Sequence, residues 1–304
     1  MQTVLVPLDG SDLAELALPH AVALVRRLGG RIVLARVPET LVVPVMSGGI
    51  WVTREVESHE AQEVAEAYLA EIAAREALAG LDVETLTPHH PVAHGLLEAI
   101  HHSAAGLVVM TTHGHSGLGR WLLGSVADKL VHASPVPVYV VRSSESPAPP
   151  AFGRVLVPLD GSELAEAALE DAAALAQVAG SELRLVRVPT LPGYATAIPE
   201  TAGWIPDLLR EAALEAETYL TGIAARLEAE GLRVAADVEM IVAGSVADAL
   251  LDYAERSRVD LIVMSTHGRT GVGRWLFGSV ADRVLQASPV PVWLVRVAEG
   301  PDAA

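Results

Sequence analysis

The sequence contains no cysteine and a single lysine, Lys129. The first absence excludes disulfides, thiolate metal sites and cysteine nucleophiles, and leaves the redox compartment open. The second means that no lysine stands at a phosphate loop of the Walker type. Positive charge is scarce overall: 21 Lys and Arg face 38 Asp and Glu, for a net charge of −17 and a pI near 5.0. Nucleic acid needs a basic footprint and is therefore excluded as a partner; any nucleotide phosphate must be held by local fields. Long apolar runs are lacking too. Stretches such as residues 4–8 and 41–46 fall far short of the roughly 20 residues a membrane helix requires. The N-terminus has no basic flank and meets an acid at Asp9, unlike a signal peptide. The expectation is a cytoplasmic, soluble chain with no membrane partner.

What is present is a globular sequence written twice. With 304 residues, 51% of them hydrophobic, the chain has room for two ordinary domains, each with its own core. Val-Leu-Val-Pro-Leu-Asp-Gly-Ser occurs at residues 4–11 and again at 155–162, and 22 of the 33 positions from 110 to 142 are identical to those from 264 to 296. The Ser/Pro-rich stretch 143–150 reads as a connection. Domains are expected at residues 1–143 and 153–298, with 144–152 as the linker.

Within each half the pattern alternates strand and helix. In the first, strands are expected at residues 4–8, 31–37, 83–87, 106–111 and 136–142, and helices at 11–28, 55–79, 92–103 and 125–132. Ser11 caps the first helix, with Asp12 and Glu15 in its first turn, and Gly80 ends the second. Parallel strands need right-handed crossovers, so five such units predict an α/β fold: two tandem doubly wound parallel sheets that bind ligands at the carboxyl ends of their strands. Asp9, Val37 and Gly114 fall at such ends, as do Asp160, Val188 and Gly268. The fifth strand carries Pro135 and Pro137, or Pro289 and Pro291, which suits an edge. Pairing of the two fifth strands, one from each half, would hide both.

The candidate site is the stretch after the fourth strand. In each half a short apolar run ends in small polar residues, a glycine-rich loop follows, and Gly124-Ser125 or Gly278-Ser279 opens a helix. A helix start offers unpartnered N–H groups and a partial positive charge, and glycine lets a polyphosphate approach closely. The plainer alternative is a loop packed tightly over the sheet. Ser125 and Ser279 are read either as N-caps or as hydroxyls turned to a phosphate or a metal-bound water. Asp9 and Asp160 similarly serve either as caps of an Asp-Gly-Ser turn or as contacts to a metal or a ribose hydroxyl.

These motifs resemble the universal stress protein family in its tandem form, from residue 4 to 142 and from 155 to 296. Its ATP-binding members carry Gly, two residues, Gly, nine residues, Gly-Ser/Thr; here Gly114 and Gly124-Ser125 match, as do Gly268 and Gly278-Ser279, whereas Thr111 and Ser265 replace the first glycine. The resemblance implies five-stranded sheets of order 3-2-1-4-5, akin to adenine nucleotide alpha hydrolases, with pairing through fifth strands, a homodimer, and ATP with Mg2+. It places Pro7, Leu8, Asp9 and Val37 against the nucleotide, with Met110, Thr111, Gly114, His115, Gly117, Gly124, Ser125, Val126 and Ala127 around ribose and phosphates. In the second half the corresponding set is Pro158, Leu159, Asp160, Val188, Met264, Ser265, Gly268, Arg269, Gly271, Gly278, Ser279, Val280 and Ala281. Val242, Gly244 and Asp260 also fit the family pattern where the first half has His90 and Gly106, which favours the second site.

Seven of the eleven histidines (89, 90, 94, 101, 102, 113 and 115) lie close together in sequence, but only a weak metal pattern results, and surface or capping roles are the readier account. His113 and His267 sit in the loop motif itself. Trp121 and Trp275 read as core or interface residues. No nucleophile, base or paired-acid constellation is apparent. The expected function is therefore an adenine-nucleotide-binding, stress-responsive regulatory module, with a slow Mg-dependent ATPase as one alternative. A nucleotide-independent interaction module is the other, using the dissimilar segments 39–57 and 190–207 as lids or partner surfaces.

Overall fold

An apolar run without polar alternation, such as Val4, Leu5 and Val6, suits a strand covered on both faces. It forms β1 (Gln2–Pro7), and all three residues are buried. The computed structural model describes residues 2–47, 50–89, 91–112, 123–142, 151–190, 205–241, 244–266 and 278–296. The chain divides into two compact units, Met1–Pro149 and Pro150–Ala304.

In the first unit β1 is followed by α1 (Asp12–Glu15), α2 (Ala17–Leu28), β2 (Gly30–Ala35), β3 (Thr40–Ser47), β4 (Ile50–Glu57) and α3 (His59–Ala73). Then come β5 (Asp82–Leu86), α4 (Val92–His102), β6 (Leu107–Thr111), α5 (Ser125–Ala133) and β7 (Val138–Val141). The main sheet runs β5-β2-β1-β6-β7, all parallel, with Val4 opposite both Ile32 and Leu107. Counting only its own strands, that is 3-2-1-4-5.

The second unit repeats the plan: β8 (Arg154–Pro158), α6 (Glu163–Glu166), α7 (Ala168–Ala179), β9 (Glu182–Arg187), α8 (Ile205–Ala229) and β10 (Arg233–Val238). It closes with α9 (Val246–Arg256), β11 (Leu261–Ser265), α10 (Ser279–Ala287) and β12 (Val292–Val295), in parallel order β10-β9-β8-β11-β12. Each sheet is covered by helices that bury one stripe. Leu5, Leu24, Ile32, Leu107 and Leu130 are fully buried in the first unit. Such a side chain contributes about 1.5–3 kcal/mol when removed from water.

Three local expectations change. The helix expected over 55–79 spans only His59–Ala73, because residues 50–57 pair antiparallel with 40–47 as a hairpin, Thr40 opposite Glu57. Ser58 stops the strand and caps the helix, its Oγ accepting from Ala61 N at 3.0 Å. The single first helix is two, parted at Leu16 and, in the second unit, at Ala167. The fifth strands begin after their prolines: Pro137 and Pro291 contribute only carbonyls, accepting from Val108 N and Ile262 N.

Candidate functional site

The site forms where four strands of the first unit release the chain. Leu8 N still donates to Ala35 O at 2.8 Å and Thr112 N to Val141 O at 3.0 Å, so the strand ends stay level with one another. Gly124 N then donates back to Thr112 O at 2.8 Å, which fixes the start of α5 beside the end of β6. Between these ends lies a cleft of about 460 Å³. Pro7, Leu8 and Asp9 line it from the end of β1, Val37 from beyond β2, Met110 and Thr111 from β6, and Gly124, Ser125, Val126 and Ala127 from the start of α5. Ten residues singled out in the sequence are thus brought together. Gly114, His115 and Gly117, with His90, His113 and Trp121, lie outside the described residues.

At the helix start the serine is not the cap. Gly124 is the N-cap residue, with extended backbone at φ −60° and ψ 148°, and Ser125 is the first helical residue; no side chain caps the turn. The second unit agrees: Gly278 is the N-cap and Ser279 follows, with Gly278 N donating to Thr266 O at 2.9 Å. The capping alternative for Ser125 and Ser279 is therefore overturned. In both, the N-cap residue of a nine-residue helix is a glycine that brings no side-chain oxygen of its own to the electropositive end.

The acidic residues take the turn-holding role. Asp9 Oδ1 accepts from Ser11 N at 3.0 Å and Ser11 Oγ at 2.6 Å, and Asp160 accepts from Ser162 in the same way at 2.9 and 2.6 Å. Ser11 and Ser162 each cap the helix that follows, accepting from Ala14 N and Ala165 N. Gly10 and Gly161, at φ +86° and +87°, make the left-handed step these turns need.

In the second unit Pro158, Leu159 and Asp160 follow β8, Val188 follows β9, Met264 and Ser265 end β11, and Gly278, Ser279, Val280 and Ala281 open α10. These are the places their counterparts occupy in the first. Gly268, Arg269, Gly271, Val242, His267 and Trp275 lie outside the described residues. Thr111 and Ser265, standing for the family's first glycine, are each 6% exposed at a strand end. Asp260 does not belong to the crevice: its Oδ2 accepts from Arg154 N at 2.8 Å, at the amino end of the sheet.

The sequence reading missed two residues in each half. Arg36 lines the cleft, its guanidinium 4.5 Å from the centre of the Tyr68 ring, and Arg187 stands 5.1 Å from Tyr219. Tyr68 donates to Glu15 Oε1 and Tyr219 to Glu166 Oε1, both at 2.9 Å. Burial first, then these carboxylates, push both phenols above their usual range. The shared 151-residue offset of Arg36, Tyr68 and Glu15 from Arg187, Tyr219 and Glu166 was the available signal.

Among the described residues there is no group of three metal-ligating side chains; His94, for example, meets only Glu98, at 3.2 Å. No described helix is long and apolar enough to cross a membrane.

Comparison with known proteins agrees with this geometry. The universal stress protein family model matches residues 1–142 and again 151–296. A universal stress protein of Mycolicibacterium smegmatis is 34% identical over 217 residues, 71% of this chain and 70% of that one. One from Methanocaldococcus jannaschii is 30% identical over 159 residues, 52% of this chain and 87% of that one. The crystal structure of a universal stress protein from Archaeoglobus fulgidus DSM 4304 superposes with a TM-score of 0.68 at 25% identity, covering 97% of this chain and 98% of that one. With the strand order, the glycine-serine helix starts and the duplicated motif all in place, the chain belongs to the universal stress protein family and carries its domain twice.

Proposed function

We propose that the chain binds an adenine nucleotide, ATP with Mg2+, and acts as a cytoplasmic regulatory module rather than a catalyst of rapid turnover. The observation that carries the proposal is the 460 Å³ cleft, which gathers strand-end and helix-start residues in one place. Its volume falls in the range of about 300–1,000 Å³ common to small-molecule sites. Phosphates lie at the start of α5, where backbone N–H groups and the helix field favour anions. Ser125 meets a phosphate or a metal-bound water. Leu8, Val37 and Met110 supply apolar cover for the base. Asp9, with Oδ1 already held by Ser11, meets the metal or a ribose hydroxyl, since a bare carboxylate beside phosphates would be costly. The same roles fall to Asp160, Val188 and Ser279 in the second half. We further propose residues 144–152 as the linker, pairing of the two fifth strands with each other within the chain, and a homodimer as the assembly.

The test is release of bound adenine nucleotide from the purified protein, read by absorbance and chromatography, followed by calorimetric titration with MgATP. Multiple-turnover phosphate release that Asp160→Ala abolishes while binding persists would instead favour the ATPase. The interaction reading draws on the hairpin β3-β4, where Met46 and Ile50 are 62% and 69% exposed. Protein that neither carries nor binds nucleotide would favour it.

A further inference from the structure

The two halves share an arginine over a tyrosine but differ in what answers its charge. Arg187 is 8% exposed and its Nη2 lies 3.1 Å from Glu215 Oε1. Glu215 stands four residues before Tyr219 on α8, so it occupies the same helix face as the ring. The residue four before Tyr68 on α3 is Val64, an aliphatic side chain left 55% exposed. Among the described residues Arg36 makes no ion pair; it is only partly buried, stacks on Tyr68 and lines the cleft. It packs against the Asp9-Gly10 turn so closely that a Cβ on Gly10 would fall 2.9 Å from Nη2. Among the described residues the other charges at the cleft are the carboxylates of Asp9 and Glu39. A planar guanidinium offers five donors in a fixed fork suited to phosphate, and one already bound to a carboxylate has fewer to give.

Resting on the nucleotide reading above, we propose that Arg36 is a specificity-determining residue of the first cleft. It donates to an anionic oxygen of the bound ligand, whereas Glu215 withholds Arg187 from the second. The two halves therefore bind phosphate-bearing ligands unequally, the first more tightly. This reverses the preference for the second half that the glycine and aspartate pattern suggests. The carboxylates of Asp9 and Glu39 require that the anion arrive with a divalent cation or with hydroxyls that donate to them.

The experiment uses the full chain, with Gly278→Val to isolate the first cleft and Gly124→Val to isolate the second. MgATP and inorganic triphosphate with Mg2+ are titrated separately by calorimetry. In the first cleft, Arg36→Gln and Val64→Glu should each weaken MgATP by about tenfold, the Glu by recreating the second half's ion pair. In the second, Glu215→Val should tighten MgATP by a similar factor. All three changes should shrink as salt is raised, because the rim is open to solvent. Positions 64 and 215 are exposed, so circular dichroism should stay unchanged. An unaltered affinity in Arg36→Gln, or in Glu215→Val, overturns the inference while leaving nucleotide binding intact. Triphosphate binding that responds to Val64→Glu, with no added affinity from the nucleoside of ATP, overturns the nucleotide reading and upholds Arg36. If neither probe binds any variant, both fall.

Discussion

His20 offers a perturbation whose size follows from the structure. It lies on α2 at 2% exposure, with Nδ1 3.1 Å from the hydroxyl of Tyr139 and Nε2 buried without a hydrogen-bond partner. Burial lowers its pKa from 6.5 to about 4. The folded state thus holds a neutral imidazole where the unfolded chain would take up a proton. That stability is complete above about pH 6.5 and is lost as the pH falls toward 4. Linkage gives a loss of about 2 kcal/mol between pH 7 and 5 and about 3 kcal/mol by pH 4. The equivalent residue of the second unit, Asp171, contributes with the opposite sign. Burial and Glu170 raise its pKa, so its contribution is present at acid pH and is lost as the pH rises through the folded value. The histidine must therefore be isolated by difference. Urea denaturation of the wild type and of His20→Leu/Tyr139→Phe should be compared at pH 7 and pH 5; the double change removes the buried imidazole and its hydroxyl together. The variant should lose about 2 kcal/mol less than the wild type over that interval. Equal losses would refute the assignment of His20 as a neutral buried group.

Other expectations are simpler. Ser11→Ala and Ser162→Ala should each cost about 1 kcal/mol, and by nearly equal amounts because their capping distances are 3.2 and 3.1 Å; thermal melts would show the comparison. Leu5→Ala empties a fully buried position and should cost about 2–5 kcal/mol by urea denaturation. Gly95→Ala places a Cβ against the backbone carbonyl of His89, so α4 or the turn before it must shift. A melting temperature unchanged by that substitution would contradict the close packing. Gly10→Ala forces a left-handed backbone on alanine and presses on Arg36, so it should lower both stability and cleft affinity.

Much of the fold was legible because its information is local and repeated. Apolar runs such as residues 107–111 have no polar face and could only be inner strands, and the Asp-Gly-Ser turns marked where helices begin. The hairpin was not legible in this way. The Ala- and Glu-rich residues after 58 extended an apparent helix backwards over 55–57, where Val-Thr-Arg-Glu-Val-Glu at 52–57 has no strand alternation to oppose it; the antiparallel partner at 40–47 decides the matter, and partners are not visible in a window. At the site, Asp9, Val37 and Gly124 were legible from their places at strand and helix ends. Arg36 was not, because its significance depends on a ring 32 residues away and on the absence of an acid at position 64. Ser125 was ambiguous for a different reason: capping and first-helical positions differ by one residue, and only the backbone angles of Gly124 separate them.

The central claim is that the strand-end clefts hold an adenine nucleotide by its phosphates at the helix starts. Calorimetric titration of MgATP into wild type and Gly124→Val/Gly278→Val tests it most directly. Both glycines have φ near −60°, a conformation valine adopts without strain, so the added side chains act on the cleft and not on the backbone. The account predicts saturable binding to the wild type and none to the double variant at unchanged fold; equal affinity in the two proteins, or no binding to the wild type, would contradict it.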